Sequence, residues 1–201
     1  MRLRRTIPLM AMVASLFQCT ACGTYSLRPW IEKKDAIREQ KLMGSWVVVD
    51  ENKKVFRVRF IPTTGGSYTV KLFKSREKSE LLILNATLGR IGDAYYLDYV
   101  IPDDPKEGNG GCCSCMHQLA QMEIGQDKLS IRLLDAGKLE AALNKPGTKG
   151  IEFIMVKQGE GWLTWNDLLI VSQTKEMQNF LLTDSRDSDI WDDPIELTRR
   201  R

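Results

Sequence analysis

From Ser45 onward apolar and polar residues alternate with a period of two. Phe56, Val58 and Phe60 alternate with Arg57 and Arg59, the pattern of an antiparallel strand with one buried and one wet face. Thr63, Thr64, Gly65 and Gly66 supply a turn, after which Tyr68, Val70 and Leu72 alternate with Thr69 and Lys71, predicting a hairpin. Residues 81–88 and 94–100 predict a second hairpin across 90–93, with Tyr95, Leu97 and Tyr99 on one face and Asp98 on the other. A third joins Ala120, Met122 and Ile124 to Leu129, Ile131 and Leu133 through a turn at 125–127. Asp135 is placed to cap a short helix carrying Leu139 and Leu143, ended by Pro146 and Gly147. Residues 151–156 and 163–171 return to strand. Ser172 is placed to cap a second helix bearing Met177, Phe180 and Leu181, and 195–198 reads as a last short strand.

Short strands in meander order, with two or three short helices, predict a mainly β domain. Closure removes open edges, so the expected architecture is an antiparallel up-and-down barrel or half-barrel; a β-sandwich is the alternative, because strand spacing does not separate the two. Residues 44–201 form this β domain. Residues 22–43 are charged and contain few β-branched residues, and read as a tether and lead-in with a helical turn or two or as a solvated linker.

Residues 1–21 have a different character. Arg2, Arg4 and Arg5 precede an uncharged, mostly apolar run over 7–17, then small residues, the order of a secretory signal. The run is about half the roughly 20 residues a spanning helix needs. Thr20, Ala21 and Cys22 resemble the cleavage site of a bacterial lipoprotein signal, in which a small residue precedes the cysteine that is lipidated and becomes the new N-terminus. Position 19 departs from that pattern, holding cysteine where leucine is usual, and lipidation at Cys19 is the competing register; it would put bulky Gln18 before the cysteine. An ordinary signal peptide without lipid is the plain alternative. The resemblance implies acyl chains such as palmitate, hence a membrane anchor, and Gly23 after the cysteine resembles the outer-membrane sorting class, facing the periplasm.

Composition narrows the chemistry. The 201 residues are 43% hydrophobic and 27% charged, which excludes a disordered or multi-span chain. Of the 29 basic residues three lie in the signal, so the remainder balances the 26 acids and leaves no surplus for nucleic acid. The single histidine, His117, excludes sites built on paired imidazoles.

Gly44, Ser45 and Trp46, at the mouth of the first long strand, resemble the lipocalin Gly-x-Trp motif. In that family the tryptophan plugs one barrel end beneath a basic side chain near the C-terminus, a part open here to Arg199, Arg200 or Arg201. A buried first-strand tryptophan is the plain alternative. The second lipocalin motif, Thr-Asp-Tyr, is missing, and the helix after Asp135 interrupts the late strands. Together with the hairpins and segments 133–139 and 172–182, the run 42–48 resembles uncharacterised bacterial lipoproteins of lipocalin-like aspect, which implies a fold and an address but no activity.

The densest local chemistry lies at 108–117, where Cys112, Cys113, Cys115, Met116 and His117 follow three glycines. In an extended run Cys113, Cys115 and His117 project to one side, a donor set suited to Zn²⁺ or Cu⁺. Against that, no second ligand cluster exists, and exported thiols oxidise. Cys112 or Cys113 with Cys115 is then a disulfide candidate, and incidental cysteines are the third reading. A Cys–His catalytic pair is disfavoured by its spacing. The acids Asp184, Asp187, Asp189, Asp192 and Asp193 lack the spacing of a calcium loop and read as a solvated turn. Tyr95, Tyr96, Tyr99, Phe153, Trp162 and Trp165 are cavity or plain core.

The expectation is a non-enzymatic, lipid-anchored envelope protein without a cofactor, binding a partner protein or a small apolar ligand. An open interior favours the ligand, a filled one the partner. The alternative is an envelope metal-binding or thiol redox protein acting through residues 112–117; a hydrolase lacks its nucleophile and base.

Overall fold

A computed structural model describes residues 23–50, 53–74, 80–102, 116–146, 148, 150–160, 163–183 and 189–200, with the backbone alone over 158–160 and 163–166. Cys19, Cys22, Cys112, Cys113 and Cys115 lie outside the described residues. The chain opens with a short strand, β1 (Thr24–Ser26), then runs through β2 (Gly44–Val49), β3 (Val55–Pro62), β4 (Ser67–Lys74), β5 (Glu80–Ile91), β6 (Ala94–Val100), β7 (Gln118–Ile124) and β8 (Lys128–Leu133). Helix α1 (Ala136–Leu143), strands β9 (Phe153–Glu160) and β10 (Leu163–Ile170) and helix α2 (Thr174–Leu182) precede the last strand, β11 (Ile195–Arg199).

Strands β2 to β8 pair in sequence order as antiparallel neighbours. β11 pairs with both β8 and β2 and closes an eight-stranded barrel. The expected up-and-down barrel is therefore complete, and the half-barrel and sandwich alternatives fall away. Alternation sets the wall: Trp46, Val48, Val58, Phe60, Val70 and Leu72 are buried inside, while Arg57, Arg59 and Lys71 share the outer face. At the β5–β6 turn Ile91 pairs with Ala94 across two residues, and Gly92 takes the positive φ of 60° that primed hairpin turns require.

The insertion between β8 and β11 does not break the barrel, because it packs outside. β9 and β10 form an antiparallel pair, and β1 adds to β10 in parallel, a pairing that sequence alternation did not foresee. One face of this three-stranded sheet, α1, α2 and the outer faces of β6 and β7 enclose a second core containing Leu139, Leu168, Ile170, Met177, Phe180 and Tyr96.

Two expectations are corrected. Residues 23–43 carry the expected one or two short helical turns, both 3₁₀, but pack against the domain and are no solvated linker: Trp30 and Ile31 are buried in the second core and Leu42 in the barrel. The apolar residues were spaced too irregularly to show a periodic face, yet each fills a separate gap. Ser172 does not cap α2. Its hydroxyl accepts from Glu152 N and donates to Gly150 O, and Gln173 precedes the helix with its N–H donated to Glu176. Asp135 caps α1 as expected, accepting from Lys138 N at 2.8 Å.

Candidate functional site

One end of the barrel is sealed. Gly44 enters β2 at φ 115°, a conformation that costs a side-chain-bearing residue about 1–3 kcal/mol, and this turn drops Trp46 into the barrel end. There the indole is wholly buried and donates to Leu42 O at 2.9 Å. The guanidinium of Arg199 lies 4.3 Å above the ring centroid and donates to the carbonyls of Met43 (3.0 Å), Gln126 (2.7 Å) and Lys41. Of the described C-terminal arginines, Arg199 and Arg200, it is Arg199 that covers the tryptophan; Arg201 lies outside the described residues.

Beyond the plug the interior is lined by residues from all eight barrel strands, among them Val48, Leu84, Leu97, Tyr99, Ala120 and Leu133, leaving a cavity of about 40 Å³ with no polar surface. A protein cavity of about 150 Å³ holds benzene, so this space admits the end of an apolar chain and not a whole lipid. Tyr99 keeps the wall dry by turning its hydroxyl to Gln118, at 3.0 Å, and burial pushes that hydroxyl far above its ordinary titration range. Of the described side chains of the aromatic set, Tyr99 lines this cavity. Tyr95 packs against the inner core, Tyr96 and Phe153 belong to the second core, Trp162 lies outside the described residues, and only the backbone of Trp165 is described.

His117, the described member of the expected metal set, sits where β1 meets the barrel. Its backbone exchanges two 2.8 Å hydrogen bonds with Ser26, and its Nδ1 lies 2.8 Å from Oδ1 of Asp98, which is 3% exposed. The other Asp98 oxygen accepts from Ile31 N at 3.2 Å. An Nδ1–H donated to the carboxylate leaves the Nε2 lone pair available. Sequence alternation puts Asp98 on the face opposite Tyr95, Leu97 and Tyr99. That face is covered by residues 29–31 and β1, so the carboxylate needed partners and found them in His117 and a backbone amide. Among the described residues no three metal-ligating side chains converge.

The acidic turn divides. Asp189 is exposed and pairs with Arg132 and Lys138, which hold its carboxyl below the usual range. Asp192 is half-buried; burial, reinforced by Asp135 and opposed by Lys138, pushes it up to about 6. The folded chain therefore binds this proton more tightly than the unfolded one, whose aspartates titrate near about 3.9. Stability from this site is present below pH 4 and is lost as pH rises through 6. Allowing for solvent screening, Asp192→Asn is expected to be about 1 kcal/mol more stable than the parent at pH 7.5 and equal to it at pH 3.5. Urea midpoints at the two pH values check this; an equal difference at both refutes it.

No described helix is long and apolar enough to cross a membrane. The barrel itself is apolar inside and carries Arg57, Arg59 and Lys71 outside, the inverse of a membrane-spanning barrel. No protein-family model, curated protein or solved structure matches the chain.

Proposed function

We propose that this chain is a non-enzymatic, lipid-anchored protein of the bacterial envelope, held at the outer membrane through Cys22, whose barrel receives the end of a small apolar ligand. The barrel cavity lined by aliphatic and aromatic side chains supports this reading. Its small volume sets the ligand class: a short alkyl group enters, and bulk or charge remains at the mouth. Binding of straight-chain alcohols to the full-length protein, followed by NMR shifts of the lining methyl groups, is the test. Each added methylene that fits contributes about 0.8 kcal/mol, or about fourfold in affinity, until the cavity is full. Ala120→Leu fills the space and abolishes the saturable shift while the rest of the spectrum persists. Absence of saturable shifts in the parent rejects the ligand and leaves a partner protein as the binding target. The anchor has its own check: Cys22→Ser moves the protein from the membrane to the soluble envelope fraction, whereas Cys19→Ser does not.

A second reading, binding of Zn²⁺ or Cu⁺ or thiol redox chemistry through residues 112–117, draws support from the Asp98–His117 pair. A carboxylate that orients a histidine and fixes its tautomer is the usual outer support of an imidazole ligand. Cys113, Cys115 and His117 would hold the ion. One equivalent of metal in the purified protein, lost in the Cys113→Ser, Cys115→Ser double variant, favours this reading over the first.

A further inference from the structure

Folding begins at once after the candidate lipidation site. Gly23 N donates to Asp167 Oδ1 at 2.8 Å, Gly23 O accepts from Leu168 N at 3.0 Å, and β1 then runs in register with β10 from Thr24 to Ser26. Leu27 N continues the ladder to Ile170 O at 3.1 Å. A lipid on Cys22 is thus one residue, about 3.8 Å, from fixed backbone, and the domain has no slack with which to stand away from the bilayer.

The same sheet carries an apolar outer side. Thr24, Ser26, Leu168 and Ile170 turn inward and are buried. By alternation Tyr25, Leu27, Leu169, Val171, Ile154 and Val156 turn the other way together with the exposed Glu152; Tyr25 is itself buried, and Leu169 lies between Tyr25 and Ile154 in the register. Leu27 is 51% exposed and Ile154 53%, two of the most exposed large apolar side chains among the described residues. Asp167 shares this side, with its carboxylate engaged by the Gly23 amide. The basic outer face of β3 and β4 is placed differently. β1 rests on β7 through the Ser26–His117 bridge, and β3 is four strands from β7 in either direction round the barrel.

We infer that the outer side of the β1–β10–β9 sheet lies against the bilayer that holds the lipid, so that the anchor and Leu27, Leu169 and Ile154 together fix the domain in one orientation, with Arg57, Arg59 and Lys71 turned away from that membrane. The inference rests on lipidation at Cys22. It follows from the short tether, which brings some surface near β1 to the interface, and from the apolar patch, which is the part of that surface that gains by leaving water.

The experiment uses the full-length chain expressed in bacteria with its own signal, in a Cys112→Ser, Cys113→Ser, Cys115→Ser background. A single reporter is introduced as Leu27→Cys, Ile154→Cys or, on the far side, Arg59→Cys. Each is labelled with an environment-sensitive fluorophore in vesicles of phosphatidylethanolamine and phosphatidylglycerol containing brominated acyl chains, and intact mass reports the lipid at residue 22. The expected result is a lipid adduct in all three, with quenching at 27 and 154 at least about threefold that at 59, because an apolar surface seats about 5–10 Å into the headgroup boundary. A lipid adduct with equal quenching at the three positions, or with most quenching at 59, overturns the docking and leaves the anchor standing. Absence of the adduct overturns the anchored reading and the docking with it.

Discussion

Trp46→Ala is expected to cost about 3–5 kcal/mol, a large part of the stability of a domain of this size. The indole is wholly buried at the sealed end, where it joins both ends of the barrel sequence: β2, which carries it, and β11, which supplies Arg199. Truncation removes the aromatic volume, leaves Leu42 O without its donor, and takes the ring from beneath a guanidinium already committed to three carbonyls. Urea denaturation checks the figure, with an unchanged slope if the unfolding unit is the same. Trp46→Phe retains most of the volume and is expected to lose about 1–2 kcal/mol, chiefly the Leu42 hydrogen bond. A cycle of Trp46→Phe with Arg199→Met isolates the stacking, expected near 1 kcal/mol. A Trp46→Ala loss under 1 kcal/mol would mean that the plug does not hold the barrel closed.

The plug was open to a sequence reading through the resemblance of Gly44, Ser45 and Trp46 to the lipocalin Gly-x-Trp motif, which implied a basic C-terminal cover and left Arg199, Arg200 and Arg201 as its candidates. The barrel was legible from the residues themselves: Phe56 to Phe60 and Tyr68 to Leu72 alternate without interruption, and turn residues separate the runs. The second core was not. Trp30, Ile31 and Ile190 come from irregular segments whose apolar residues have no period, and they become a core only when the inserted helices and sheet fold back on the barrel. The same covering changed the meaning of Asp98. Between Leu97 and Tyr99 it has the alternation of a solvated residue, and only the tertiary layer above it turns it into a buried anion. Cavity size was likewise illegible, since the alternation that places Leu97 and Ala120 inside says nothing of whether their volumes fill the space.

Asp98→Ala is expected to cost about 3 kcal/mol, out of proportion to the size of the side chain. The carboxylate joins three pieces distant in sequence: β6, which carries it, His117 at the entry to β7, and Ile31 in the N-terminal segment. Its loss strands a buried amide and an imidazole N–H, each worth about 1–3 kcal/mol when left without an acceptor. Asp98→Asn keeps one acceptor oxygen and is expected to cost about half as much. His117→Ala exposes the opposite half of the pair, leaving the buried carboxylate with the Ile31 amide as its remaining partner among the described residues, and is expected to approach the cost of Asp98→Ala. The double variant Asp98→Ala, His117→Ala then falls short of the sum by about 1 kcal/mol or more, the signature of direct coupling. Additivity within about 0.3 kcal/mol would show that the two residues support the fold separately. The comparison also separates structure from chemistry: if His117 serves only the fold, Asp98→Asn changes stability and leaves Zn²⁺ titration flat, whereas an imidazole ligand deprived of its carboxylate loses about 10–100-fold in metal affinity.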